Sequence, residues 1–264
     1  MEYVIVTGAF GGMGKATAEL LASSGYTVFA LDKTEYLEKS ERIIPINVDV
    51  TSIESVQSAY AEICKWTSSV KAIIHFAGIY TLDSLVEITE ERFVRAFNVN
   101  LFGVYRINKT FLPLLSEDSR VIITTSELAP LDPLPFTGIY AITKNALDKY
   151  AYSLRMELQL LGIKVSVLRP GAVKTRLLKN STDELDAFCE NTAIYNCNAK
   201  RFKKIVNGVE AKNVSPEKVA KKALKALKAK RPKYVYNLNR NPLLLLLNIL
   251  PQRLQTYAIR KILK

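Results

Sequence analysis

Short apolar, β-branched runs alternate along the chain with longer stretches in which apolar residues recur at helical spacing. Residues 3–6, 27–31, 43–48, 70–76, 120–125 and 164–168 have the length and composition of buried strands. Residues 15–24, 52–66, 89–115 and 138–161 read as helices between them. The polar stretch 33–42 is short for a crossover helix and predicts a turn or a helical stub. Alternation of this kind predicts an α/β fold, a doubly wound parallel sheet with right-handed crossovers. With 264 residues, 48% of them hydrophobic, the chain can bury the core of one such domain.

Beyond residue 168 the pattern changes. Arg169-Pro170-Gly171 is a turn signal, and 172–214 loses clear periodicity. That stretch is too long for an idle connector and predicts a lid over a neighbouring site. Residues 215–230 form a basic helix, with Ser215 as N-cap and Pro216 in the first turn, and 234–236 reads as a seventh strand. The expected organisation is one domain over 1–240, with 172–214 as substrate lid, and a leucine-rich tail over 241–264. The apolar run 243–247 is far below the ~20 residues of a spanning helix, and Pro251 breaks the tail shortly after it. Leu254, Tyr257, Ala258 and Ile262 then recur at helical spacing among Arg253, Arg260, Lys261 and Lys264. Two readings stand side by side: peripheral membrane contact through the tail, or leucines that cover a pocket or a subunit contact.

The candidate chemistry starts at the first strand. It runs directly into Gly8, Gly12 and Gly14, and a helix comes next. Strand, glycine turn and helix N-terminus together form a cradle for a pyrophosphate. Asp32 closes the second strand, where an acid accepts from adenosine ribose hydroxyls. Asp49 ends the third, placed for an adenine edge or as a plain helix cap, with Thr51 as a candidate N-cap. Ala77-Gly78 closes the fourth, and small residues there let a bound nucleotide lie against the backbone. Ser126 stands at the carboxyl end of the fifth, where open α/β sheets place their ligands.

Composition narrows the field. A single histidine, His75, excludes multi-imidazole metal sites and argues against Ser-His-Asp hydrolysis. No metal site is expected. Cys64, Cys189 and Cys197 lack metal-ligand spacing and fit reduced thiols in a cytoplasmic protein. The first strand starts within a few residues of Met1, so no leader is expected ahead of it. A net charge of +12 can attract anions, but no nucleic-acid motif accompanies it, and no nucleic-acid partner is expected.

Taken in order over roughly 3–175, the motifs resemble the short-chain dehydrogenase/reductase family, of the kind with a single Rossmann domain. They are Thr7-Gly8-Ala9-Phe10-Gly11-Gly12-Met13-Gly14, Asp49-Val50, Ala77-Gly78, Asn100, Ser126, Tyr140 with Lys144 in YAITK, and Pro170-Gly171 followed by Val173 and Thr175. The resemblance implies a catalytic group of Asn100, Ser126, Tyr140 and Lys144. It implies nicotinamide-cofactor contacts at Gly8, Phe10, Gly12, Met13, Gly14, Asp32, Asp49, Val50, Ala77, Gly78, Tyr140, Lys144, Pro170, Gly171, Val173 and Thr175. It further implies a homodimer or homotetramer.

In that pattern Tyr140 is the general acid/base, Ser126 holds the substrate oxygen, Lys144 grips the nicotinamide ribose, and Asn100 holds a water linked to Lys144. Tyr140 and Lys144 are i and i+4 on one helix face. An ammonium about 5 Å away at an effective dielectric of about 20 lowers a phenol by roughly two pKa units. Asp32 predicts NAD over NADP, while Lys33 beside it keeps NADP open. The substrate expected is a secondary alcohol or ketone on a lipophilic sterol-, retinoid- or long-chain-like molecule. The alternatives are a 3-oxoacyl-thioester reductase and a non-catalytic nucleotide sensor or scaffold.

Three departures stand out. His75-Phe76 replaces the Asn-Asn that usually precedes Ala-Gly, removing an amide that ties neighbouring strands. Ser126 lies one position further from Tyr140 than is commonest, which keeps Thr125 as a lesser candidate. Phe10, Gly11 and Met13 fill the turn without the basic residue common in NADP users.

Overall fold

The computed structural model describes residues 2–34 and 40–264. The turn or stub expected over 33–42 falls largely on 35–39, outside the described residues. Strand β1 (Tyr3–Thr7) lies mid-sheet and shows why the chain folds in layers. Val4 and Val6 point into one core, and Ile5 into the opposite one, as period-two alternation requires. The other strands are β2 (Thr27–Asp32), β3 (Ile43–Asn47), β4 (Ala72–His75), β5 (Arg120–Thr124), β6 (Lys164–Pro170) and β7 (Val235–Leu238). Among the described residues the sheet has seven parallel strands in the order β3-β2-β1-β4-β5-β6-β7.

Helices α1 (Gly12–Ser23) and α8 (Pro216–Lys228) pack together on one face, burying Ala18 and Leu21 against Val219 and Ala223. On the other face, α2 (Ile53–Cys64) and α4 (Gly103–Phe111) cover Ile5, Phe29 and Ile73, while α5 (Gly138–Leu158) covers Val121 and Val165. Strand order reverses between β1 and β4, so a crevice opens at their carboxyl ends.

The structure departs from the sequence reading in several places. The single helix expected over 89–115 is α3 (Glu90–Phe97), a π-helical turn over Asn98–Phe102, α4, and a short 3-10 turn over Leu112–Leu114. Inside the wide turn, the Asn100 amide is bonded to the backbone of Ile79 rather than facing its own helix. The N-cap of α2 is Ser52, whose hydroxyl accepts from Ser55 N–H at 3.1 Å; Thr51 instead bonds back to Asp49.

The stretch 172–214 holds two helices, α6 (Arg176–Asn191) and α7 (Asn196–Glu210). Their apolar positions are sparse, which is why no period is visible, yet they build a core of their own. Leu185, Phe188, Ala199 and Phe202 pack with Leu82, Phe136 and Leu263. Phe136 sits at φ 65, a left-handed conformation rare for a bulky residue, with its ring 4.7 Å from Phe188 and 5.4 Å from Phe202. The tail forms α9 (Pro242–Ile249) and α10 (Gln252–Leu263). It folds back on the body: Asn198 Nδ2 donates to Leu263 O at 2.7 Å, and Asp132 N–H donates to Asn248 Oδ1 at 2.7 Å.

His75 does not leave the sheet untied. It pairs in register with Thr7 and Ile123, and its Nε2 lies 2.9 Å from Asn108 Oδ1. Burial depresses its pKa to about 4, outweighing the Asn108 bond. The folded protein therefore keeps His75 neutral while the unfolded chain protonates near the usual 6.5. This contribution to stability is intact above about pH 6.5 and falls away as pH drops toward 4, by about 3 kcal/mol in all. His75→Gln should shrink the loss of unfolding free energy between pH 7 and 4 by about that much in urea titrations. An unchanged difference would show that other groups drive it.

Candidate active site

The first βα turn meets the crevice. Gly8 has φ 65, and a Cβ there would lie 2.5 Å from Ala77 N. A Cβ at Gly14 would lie 2.0 Å from Gly8 O. Only glycine allows so flat a cradle, and Gly11 at the α1 N-cap offers no side chain to fill it. Gly12 faces Thr175, the N-cap of α6, and Met13 lines the cleft. Such a cradle fits a pyrophosphate at a helix N-terminus.

Asp32 is already engaged. Its Oδ2 accepts from Phe10 N–H at 2.9 Å, and its Oδ1 from Thr34 N–H at 3.1 Å and Thr34 hydroxyl at 2.7 Å. It therefore braces the glycine turn, with further lone pairs remaining for a ribose. Asp49 is exposed and accepts from Thr51, which holds its carboxyl below the usual range. Val50 packs against Gly103, and its carbonyl accepts from Arg106 at 3.3 Å.

The proposed catalytic side chains converge at the ends of β4 and β5. Around Gly78, a Cβ would lie 3.2 Å from Asn100 Oδ1 and 3.5 Å from Lys144 Nζ. The Asn100 amide accepts from Ile79 N–H at 2.8 Å and donates to Ile79 O at 3.0 Å and Thr143 Oγ1 at 3.1 Å. It is spent on bracing strand end to helix. Lys144 Nζ donates to Thr124 O at 3.3 Å and lies 5.8 Å from the Tyr140 ring centroid. Thr124 Oγ1 beside it is buried without a protein partner, a polar atom left for a bound group.

Tyr140 is buried, its ring tilted 45° against Tyr80 with centroids 4.5 Å apart, and its phenol is hydrogen-bonded to Ser126. The expectation that Lys144 draws the phenol down is not met. Burial pushes Tyr140 up to about 12, against the lowering bond from Ser126, and Glu127 raises it further. Burial also lowers Lys144 to about 8. Thr125 Oγ1 lies 3.4 Å from both Asp148 Oδ1 and Leu168 O, away from the phenol's bond, so Ser126 is the hydroxyl that meets Tyr140.

Pro170 and Gly171 line the same cleft with Val173 and Thr175. Pro170 O accepts from Glu127 N–H at 2.9 Å, and Val173 bridges to Val214. The cleft is open to solvent with a cavity volume of about 190 Å³, and its outer wall is Leu178, Phe202, Ile205, Val206, Val209 and Leu244. Those residues were not legible as site residues, nor were Glu127 and Asp148. Asp148 had one signal: it is i+8 from Tyr140 and shares its helix face. It pairs in bidentate fashion with Arg169, Oδ1 to Nε at 3.0 Å and Oδ2 to Nη2 at 2.7 Å.

A doubly wound sheet with this cradle and this tyrosine, lysine and serine arrangement defines an α/β oxidoreductase. The chain belongs to the short chain dehydrogenase family, whose model matches residues 2–186. It is similar to estradiol 17-beta-dehydrogenase 2 of Mus musculus, 35% identical over 185 residues. That match takes in 66% of this chain and 49% of the relative, so it spans about half that protein's length. A 3-ketodihydrosphingosine reductase of Bacteroides thetaiotaomicron is 28% identical and matches over 98% of this chain and 97% of its own. Among solved structures, the aldohexose dehydrogenase of Thermoplasma acidophilum superposes with a TM-score of 0.76 at 22% identity, covering 92% of this chain and 94% of that one.

Proposed function

We propose that the protein transfers a hydride between NAD(P) and a secondary alcohol or ketone on a lipophilic chain, with Tyr140 as acid/base. The observation that carries this reading is the apolar wall rising from the Ser126–Tyr140 pair through Phe202, Ile205 and Val209 to Leu244. In this reading α6 and α7 are the substrate lid. The estradiol dehydrogenase and 3-ketodihydrosphingosine reductase relatives support a lipid-like substrate.

The nicotinamide supplies or accepts the hydride. The Gly8–Gly14 cradle would hold the pyrophosphate and Lys144 would reach the ribose. The Ser126 hydroxyl donates to the substrate oxygen, and Tyr140 gives that oxygen its proton during reduction. A phenol at about 12 is protonated at neutral pH, which suits it as a donor. A panel of steroid, retinoid and long-chain ketones with NADH and NADPH tests the reading. Turnover confined to polyols or sugars would end it.

Asp32 favours NAD in this reading, because a 2′-phosphate would meet its carboxylate. Asp32→Ser is expected to move the NADP:NAD ratio of kcat/KM upward about tenfold, ~1.4 kcal/mol. A ratio that stays put would mean that Asp32 only braces the turn.

The tail supports both of its readings at once. Leu244 lines the cleft and Leu263 is buried, but Leu243, Leu246, Ile249, Leu254 and Tyr257 are exposed beside Arg253, Arg260 and Lys261. An apolar strip edged with bases suits a membrane interface. No helix among the described residues is long and apolar enough to cross a membrane. Leu246→Glu with Ile249→Glu should cut sedimentation with anionic liposomes at least about tenfold, since each apolar side chain contributes roughly 1.5–3 kcal/mol when buried. Equal sedimentation of both proteins would remove the membrane role. A homodimer or homotetramer is supported by exposed Phe102, Tyr105, Tyr152 and Met156 on or beside α4 and α5.

A further inference from the structure

We infer that Glu127 recognises a protonated amine carried next to the reacting carbonyl of a long-chain substrate. The inference deepens the proposed function and rests on it. Glu127 is 7% exposed and lines the cleft. It follows Ser126 directly, so the two α-carbons are about 3.8 Å apart. Its charge reaches the phenol, because it raises the Tyr140 pKa. Among the described residues lining the cleft, it is the one acid.

The carboxylate has little that explains its charge. Its Oε2 accepts from Asn241 N–H at 2.7 Å, which anchors the start of the tail. A neutral glutamine would accept that bond equally well, so the anchor does not require an acid. Arg240 is the cation that favours its charged form, but no salt bridge to Glu127 forms among the described residues. Gly171 leaves room for the group: a Cβ there would lie 2.6 Å from Oε1. A buried acid without an ion pair is costly, and burial indeed raises its pKa.

An ammonium in the cleft resolves this. It pairs with Glu127, offsets the carboxylate's pull on Tyr140, and leaves the alkyl chain to Phe202, Ile205, Val206 and Val209. The one base lining the cleft, Lys144, is committed to Thr124 O and lies over the Tyr140 ring. The protein as a whole repels cations, with a net charge of +12, so a preference for an amine has to arise locally.

The test measures binding of dodecylamine and dodecanol to the full chain by calorimetry, below their aggregation limits, with Glu127→Gln and Glu127→Asp alongside. Wild type should bind the amine at least about tenfold more tightly than the alcohol, as one well-placed charge pair contributes ~1.4 kcal/mol or more. Glu127→Gln should bring the two affinities within about threefold of each other, and Glu127→Asp should restore part of the gap. Equal affinities in wild type, or a preference that survives Glu127→Gln, overturn the inference. A parallel assay compares a long-chain α-amino ketone with the matching ketone lacking the amine, using NADH and NADPH. Turnover of neither ketone counts against the proposed function alone, since amine binding that depends on Glu127 is read independently.

Discussion

Tyr140→Phe is expected to lower kcat about a thousandfold while the fold and cofactor affinity stay near wild type. The change removes a single oxygen. The ring that packs at 4.5 Å on Tyr80 remains, so the helix should keep its place. What is lost is the proton at the Ser126 end of the cleft, and positioned general acid–base groups contribute roughly 10²–10⁴ in rate. The glycine cradle is built from other residues, so binding of NADH measured by fluorescence should persist. The wild-type pH profile carries the same signature. With Tyr140 at about 12 and Lys144 at about 8, ketone reduction should hold through neutral pH and decline as Lys144 loses its proton above about 8. If Tyr140→Phe keeps more than about a tenth of wild-type kcat, another group moves the proton.

Asp148→Ala should lower stability by about 3–5 kcal/mol. Asp148 and Arg169 have side-chain exposures of only 12% and 16%. Removing the acid leaves a buried guanidinium with two lost bonds, whereas a surface pair would contribute little. The pair also joins α5, which carries Tyr140 and Lys144, to β6, which ends in Pro170. Asp148 further accepts through its backbone carbonyl from the Tyr234 hydroxyl at 3.2 Å, a bond the substitution leaves alone. Urea unfolding measures the effect. A loss under about 1 kcal/mol would mean that Arg169 finds another acceptor or water.

Sequence and structure agree where short-range physics decides the outcome. The strands are continuous apolar runs, the glycine turn is dictated by backbone clash, and Tyr140 and Lys144 share a helix face by spacing alone. What could not be read depends on contacts across the fold. The wide turn at Asn98–Phe102 is made with Ile79, some twenty residues upstream. Helices α6 and α7 bury their sparse apolar side chains only because Phe136 and the tail complete the cluster. Glu127 looks like an ordinary loop residue until Asn241 closes over it. The Tyr140 pKa moves opposite to the pairwise expectation because burial, which a spacing argument omits, outweighs the lowering bond from Ser126.

The wide turn also sets what lengths this segment can have. It holds one residue more than an α-helical path over the same rise. Removing Val99 alone would therefore let α3 and α4 close into one continuous α-helix and abolish the turn that sets Asn100 against Ile79. Changing side chains here leaves the bulge in place, and losing a residue does not. Homologues should therefore vary freely in identity at the outward positions of 98–102 yet share its length, and a one-residue gap inside this helix would mark a chain whose Asn100 equivalent no longer reaches the strand end.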